Sequence, residues 1–125
     1  MKYKMVAKAN PQDRTATKKY YANPVKSGDI DQKAIAKEIA SRSSLTAGDV
    51  ANVLENFLEL LPTHLIDGKS VKLGNLGSFR ISFSSEGVKT AKDFNAATQI
   101  KNIRTLFKPS PDFKRLISEI KFEKE

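Results

Sequence analysis

Residues 70–84 read SVKLGNLGSFRISFS, two alternating runs joined by a Gly-Asn-Leu-Gly corner. Strand side chains repeat with period two, so Val71 and Leu73 share one side of the first arm while Ser70 and Lys72 share the other. On the second arm Phe79, Ile81 and Phe83 fall opposite Ser78, Arg80, Ser82 and Ser84. One face is apolar and belongs to a core. The other carries cations and small hydroxyls without a carboxylate, a flat polar platform that needs a functional explanation.

Upstream the periodicity turns helical. Ile30, Ala34, Ile35 and Ile39 recur at helical spacing, with Asp29 or Asp31 near the positive end of the helix dipole. Thr46 and Asp49 form a capping box with Asp in place of the usual Glu, and Val50, Val53, Leu54, Phe57, Leu58 and Leu61 then recur at three and four. Leu60, Leu65 and Ile66 add apolar surface outside that stripe, which predicts burial in a partner. Pro62 cannot donate to the carbonyl of Leu58, so a kink or break is expected there. Gly68 is the expected left-handed cap.

Downstream, Ser85-Glu86-Gly87 weakens the sheet, and residues 88–98 are polar, basic and small, a projecting arm or a surface loop. Alternation returns over residues 99–107. Ser110 and Pro111 then open a last helix as cap and first helical residue, with Phe113, Leu116, Ile117 and Ile120 as the expected buried stripe. At the other end, residues 2–8 and 17–25 read as a hairpin or two strands around the turn-prone Asn10-Pro11-Gln12-Asp13. The chain has no internal repeat.

At 125 residues and 39% hydrophobic, the length suits one domain. With no cysteine, neither a disulfide framework nor a thiolate metal site is available. No apolar run approaches the roughly 18 residues of a membrane span, and no signal-like segment opens the chain, so a soluble, cytoplasmic protein is expected. The net charge is +8, unevenly spread: residues 1–27 hold seven Lys/Arg against one acid, residues 28–68 three against seven, and residues 69–125 twelve against six. Basic flanks around an acidic middle are the footprint of a polyanion binder.

Two helices, then VKLGNLGSF, then a basic arm, then a Phe-Lys-Pro corner: this order resembles the bacterial histone-like HU/IHF family. The family's Gly-x-Gly-[Ser/Asn]-Phe turn is matched by Asn75-Leu76-Gly77-Ser78-Phe79, with Gly74 just before, and its AFKPG corner is similar to Leu106-Phe107-Lys108-Pro109-Ser110. The likeness covers residues 29–121. With its N-terminal extension, the chain also looks like an extended HU-related subfamily of some anaerobic bacteria. The resemblance implies an α+β fold built as an intertwined homodimer: two helices at the base, paired sheets as a saddle, and two arms reaching around double-stranded DNA. It further implies a basic β extension over residues 1–28 and an HU-like DNA-binding domain over 29–125. Two departures stand out. The family's arm-tip Asn-Pro-x-Thr-Gly, whose proline wedges between base pairs, corresponds to VKTAKDFN at residues 88–95, which has no proline. Ser82 and Ser84 stand where typical members carry arginine. Phe94 is the one apolar candidate for a wedge, with folding back onto the arm the favoured reading.

Catalysis finds little support. His64 is the only histidine and lies near the end of a leucine-rich helix; Glu55 and Glu59 share a solvated helix face; and Gly74 and Gly77 lack the lysine and following helix of a phosphate loop. Neither an enzyme nor a cofactor, metal, small-molecule substrate or membrane partner is expected. The nucleic-acid reading does have a mechanism. Lys72, Arg80, Ser82 and Ser84 line the outer face; Lys89 and Lys92 extend it onto the arm; Lys101 and Arg104 lie on the returning segment; Lys108 precedes the corner; Lys114 and Arg115 open the last helix. These groups meet phosphates and read no bases, so binding should be nearly sequence-independent and salt-sensitive. Val50, Val53, Leu54, Phe57, Leu58, Leu61 and Phe79 are the expected dimer interface. In the extension, Lys2, Lys4, Lys8, Arg14, Lys18 and Lys19 are candidate phosphate ligands, while Tyr20 and Tyr21 are expected to dock a strand on the sheet edge. The alternative function is a protein-interaction or scaffold module that keeps the dimeric fold with a weakened grip on DNA, and RNA is not separable from DNA at this stage.

Overall fold

The computed structural model describes residues 1–125. Its elements run β1 (Lys2–Lys8), β2 (Lys19–Pro24), α1 (Gln32–Ser41), α2 (Ala47–Ile66), β3 (Val71–Lys72), β4 (Gly77–Ser85), a 3-10 turn (Ala91–Asp93), α3 (Ala96–Gln99), β5 (Ile100–Pro109), α4 (Pro111–Ser118) and β6 (Glu123–Lys124). They form two three-stranded sheets, ordered β2-β1-β6 and β3-β4-β5, with α1 and α2 between β2 and β3 in sequence.

The helix ends follow from side chains that satisfy orphan backbone groups. Asp31 caps α1 by accepting from the Ala34 amide at 2.8 Å, so the helix starts at Gln32 and leaves Ile30 outside it, 58% exposed. In α2 the capping box forms as expected: the Asp49 amide donates to Thr46 Oγ1 at 3.1 Å and the Thr46 amide to Asp49 Oδ2 at 3.4 Å. At its far end Gly68, at φ 84°, donates to the Leu65 carbonyl at 3.0 Å while Lys69 donates to that of His64 at 3.1 Å, the paired bonds of a Schellman closure. Of the kink or break expected at Pro62, the break does not occur: α2 continues to Ile66. Pro62 sits so near the end that one backbone bond is lost, and the closure beyond it holds the last turn together.

The first sheet corrects a second expectation. β1 and β2 pair antiparallel from Tyr3 opposite Pro24 to Lys8 opposite Lys19. The other edge of β1 takes β6 in parallel, with Lys2 opposite Glu123 and Tyr3 opposite Lys124. Tyr20 and Tyr21 therefore belong to a sheet of their own and do not cap the edge of β3-β4-β5. The chain's two ends meet there: the N-terminal amine donates to the Lys121 carbonyl at 2.8 Å, and Glu125 donates to the Tyr3 carbonyl at 2.9 Å.

Little of the chain is buried within the protomer. Ala36, Val50, Leu65 and Gly77 are the only buried residues, 4 of 125, and the accessible surface is 10703 Å². A compact protein of this mass exposes about 6,700 Å². The helix stripe read as one interface divides in two. Leu54, Phe57 and Leu61 are half-buried on the same side as Val50 and Leu65, whereas Val53, Leu58, Leu60 and Ile66 point outward. α4 ends at Ser118, before Ile120; of its expected buried stripe Phe113 is half-buried, whereas Leu116 and Ile117 are 65% and 46% exposed.

Gly77 is the tightest point of the second sheet. Its φ is 147°, and a Cβ there would lie 2.3 Å from the Lys108 carbonyl oxygen and 2.9 Å from Pro109 Cα, both backbone atoms that cannot step aside. Gly77→Ala is expected to lower unfolding free energy by about 2–4 kcal/mol in a urea titration, through backbone strain plus overpacking. Gly87→Ala, where a Cβ meets open space, should stay within about 1 kcal/mol of the parent.

Candidate nucleic-acid interface

The Gly-Asn-Leu-Gly corner positions everything around it. Leu76 donates to the Leu73 carbonyl at 3.0 Å and Leu73 to that of Gly77 at 2.8 Å, with Gly74 at φ 54° providing the left-handed step. Ser110 then ties the corner to α4. Its amide donates to the Leu76 carbonyl at 3.0 Å, its hydroxyl donates to the carbonyl of Asn75, and the same oxygen caps α4 by accepting from Phe113 at 3.0 Å.

Below the sheet, Val71, Phe79 and Phe107 face each other across the three strands. The Phe79 and Phe107 ring centres lie 4.8 Å apart, and Phe113 from α4 meets Phe107 edge-on at 6.0 Å. Such pairs contribute about 0.5–1.5 kcal/mol each beyond their area, and here they also fix register, since a one-residue slip would turn the rings outward.

That register sets the opposite face. Residues directly across an antiparallel pair share a side. Lys72, Ser78 and Lys108 form one row, Arg80 and Leu106 the next, then Ser82 with Arg104, then Ser84 with Lys101. Neither β4 nor β5 contains an Asp or Glu. The structure thus brings Lys72, Arg80, Ser82, Ser84, Lys101, Arg104 and Lys108 onto one face. Lys89 and Lys92 lie beyond the strands, and Lys114 and Arg115 lie on α4.

The last row differs from the others because β5 carries an extra residue there. Pairing shifts between Ser82 and Ser84, and Asn102 takes φ 55°, the only non-glycine residue with positive φ. Asn102 Nδ2 donates to Ser84 Oγ at 2.9 Å, and Ser84 donates in turn to the Lys101 carbonyl at 3.3 Å. The Ser84 hydroxyl proton is thus engaged in the bulge. Lys101 Nζ pairs with Glu86, and Arg115 pairs with Asp112 at 2.9 Å; Lys72, Arg80, Lys89, Lys92, Arg104, Lys108 and Lys114 have no carboxylate partner. Sequence reasoning missed Leu106 on the polar face and the role of Asn102, although Asn is the non-glycine residue most at ease in this conformation.

Residues 86–99 do not extend as a long ribbon. Glu86 donates to the Gln99 carbonyl at 2.9 Å, closing a tip built from the 3-10 turn, which Thr90 and Asp93 brace at 2.8 Å, and from α3, where Asn95 accepts from Ala97 at 3.0 Å. Phe94 is 40% exposed on this tip. The residues weighed for catalysis are scattered: Glu55 accepts from Gln32 Nε2 at 2.9 Å and so links α2 to α1, while His64 is exposed in the last turn of α2. No helix is long and apolar enough to cross a membrane.

The family model described as an HU domain fused to a wHTH, Ig or glycine-rich motif matches residues 1–124. No curated protein matches the chain. Among solved structures, a candidate bacterial DNA-binding protein from Bacteroides vulgatus ATCC 8482 is similar over 98% of this chain and 47% of its own, at 18% identity and a TM-score of 0.62. A point mutant of HU from Thermotoga maritima is similar over 70% of this chain and 99% of its own, at 18% identity and a TM-score of 0.52. HU of Anabaena, in a cocrystal with DNA, is similar over 73% and 100%, at 17% identity and a TM-score of 0.56. These likenesses concern the fold, and the chain spans about half the length of the Bacteroides protein.

The bulge is open to a direct check. Asn102→Val places a β-branched residue at positive φ and removes the bond to Ser84, so a loss of about 2 kcal/mol is expected in thermal or urea unfolding. Asn102→Gly, which tolerates the backbone and loses only the side-chain bond, should cost less than half as much.

Proposed function

The chain belongs to the family of HU domains fused to a wHTH, Ig or glycine-rich motif, and on that footing we propose a homodimeric, architectural protein that binds and condenses double-stranded DNA with little regard to sequence. The observation that carries this reading is the carboxylate-free face of β3-β4-β5, where Lys72, Arg80, Arg104 and Lys108 stand unpaired. Lysine and arginine without acidic neighbours meet phosphates, contacts that position a duplex and carry no sequence information of their own. Lys89, Lys92 and Lys114 add unpaired cations beside that face. Such a protein would reside on the cytoplasmic nucleoid, with residues 29–125 forming the DNA-binding body and residues 1–28 a basic β extension.

The dimer is supported by surface that a lone protomer leaves wet. The excess of about 4,000 Å² per protomer over a compact fold, with Val53, Leu58, Leu60, Leu116 and Ile117 exposed, more than covers an obligate dimer interface, which buries about 2,000–5,000 Å² counted over both partners. A second reading, an interaction or scaffold module with a weakened grip on DNA, is favoured by the Lys101–Glu86 and Arg115–Asp112 pairs and by the engaged Ser84 hydroxyl.

A titration of random-sequence duplex at several salt concentrations separates the two. If the dimer neutralises about six phosphates, log affinity falls against log salt with a slope of about −5, and Arg80→Glu with Arg104→Glu lowers affinity at least about tenfold at low salt. Absence of duplex binding at low salt would favour the scaffold. The dimer is tested by Leu58→Glu. Leu58 is 48% exposed in the protomer, so the substitution disturbs the protomer's own packing less than one at half-buried Phe57 would. Sedimentation velocity should then show monomers, because a buried unpaired carboxylate costs several kcal/mol per subunit. A stable dimer of this variant would refute the assigned interface.

A further inference from the structure

The first sheet has two unlike faces. In the β1–β2 register, Lys4 lies beside Asn23, Val6 beside Tyr21 and Lys8 beside Lys19 on one side; Tyr3, Met5, Ala22, Pro24 and Tyr20 fall on the other. The basic side ends in an open concavity of about 500 Å³ at the hairpin loop, whose lining includes Lys8, Asn10, Thr17, Lys19 and Tyr21. Tyr21 is 48% exposed, and the Lys8 ammonium stands over its ring, 5.7 Å from the centroid. Neither Lys4, Lys8 nor Lys19 has a carboxylate partner. The nearby acids are accounted for. Asp13 accepts from the Thr15 hydroxyl and amide at 2.6 and 3.0 Å and does not line the concavity, while Glu123 lies opposite Lys2 at the far end of β1.

We propose that this hairpin is a second nucleic-acid site, one that takes unpaired nucleotides: a base stacks on Tyr21 while Lys8, Lys19 and Lys4 hold the flanking phosphates. An exposed aromatic ring set among unpaired lysines is the combination by which single strands are held, since every base offers a face to stack and every nucleotide a phosphate. A duplex is the poorer match. Its bases are already stacked inside the helix, so Tyr21 would have no base face to meet, and the basic strip is only two strands wide. Lys8 is already poised, because an incoming base displaces its ammonium from a weak exposed cation–aromatic contact to the adjoining phosphate. The site uses none of the β3-β4-β5 face and stands or falls apart from the duplex reading.

The test is fluorescence anisotropy of the full chain with labelled oligothymidylate and, separately, with random duplex. Tyr21→Ala should weaken oligothymidylate binding about tenfold and leave duplex affinity within about twofold, while Tyr21→Phe, which keeps the ring, should retain both. Lys8→Gln with Lys19→Gln should flatten the salt slope for the single strand by about 1.4, the value for two lost phosphate contacts. The chain has three tyrosines and no tryptophan, so stacking should also quench intrinsic tyrosine emission in the parent, and less so in Tyr21→Phe. No oligothymidylate binding at low salt, an unchanged affinity in Tyr21→Ala, or an equal loss for single strand and duplex would each overturn the site. Loss of duplex binding alone, as in Arg80→Glu with Arg104→Glu, would leave it standing.

Discussion

This polypeptide cannot cover its own apolar surface. Three hydrophobic residues are buried, while Val53, Leu58, Leu60, Ile66, Leu116 and Ile117 are left wet. Full burial of such a side chain is worth roughly 1.5–3 kcal/mol, and each of these forgoes about half of that or more, a loss that a marginally stable fold does not sustain many times over. The arrangement of the second sheet follows. Its apolar side is spent on the Phe79–Phe107–Phe113 column against α4, and that column leaves the cationic residues nowhere to go but the open face. Charge and packing are consequences of a single register, and Gly77, where β4 passes against the Lys108 carbonyl, is where that register begins.

The parts legible in sequence are those that local chemistry decides. The Thr46–Asp49 box, the Ser110–Pro111 cap and the Gly68 closure each satisfy orphan backbone groups within a few residues, and the alternation of residues 77–82 needs only a neighbour on each side. The parts that were not legible depend on distant chain. β6 is two residues long, too short to carry a pattern, and becomes a strand only because β1 offers it an edge. Tyr20 and Tyr21 lie on the hairpin that the sequence suggests, but which sheet that hairpin joins is not written in its own residues. A break at Pro62 is avoided because one backbone bond is lost there and the well-closed C-terminus holds the last turn. The α2 stripe reads as surface that seeks a partner, and the protomer leaves Val53, Leu58 and Leu60 exposed; the α4 stripe reads as buried, yet Leu116 and Ile117 are exposed, since periodicity shows which side seeks cover and not whether one protomer supplies it.

Within the polar face, the cations differ in what each already touches. Lys72, Arg80, Arg104 and Lys108 are free, and their only competitor is water. Lys101 and Arg115 are held by Glu86 and Asp112, but all four side chains remain substantially exposed, and exposed pairs are worth little. A polyanion that lines up several phosphates along the face would therefore compete with these pairs at small cost. It could not recruit Ser84 so easily, because releasing that hydroxyl unpicks the bulge at Asn102. The four rows thus grade from free cations at the corner end to structurally committed groups at the tip end.

That gradient bears on how the tip works. In a long, loosely held arm, cations reach a polyanion by flexing; here residues 86–99 are closed on themselves by the Glu86–Gln99 bond, the Thr90–Asp93 brace and the Asn95 cap. Lys89 and Lys92 are carried on a short braced tip, so their reach is set by the direction in which β4 and β5 leave the body. The bulge controls that direction, because an extra residue in one strand bends it and adds local twist. Asn102 and Ser84 are committed to that bulge, which gives a physical reason for a serine and an asparagine to stand among the cations of this face.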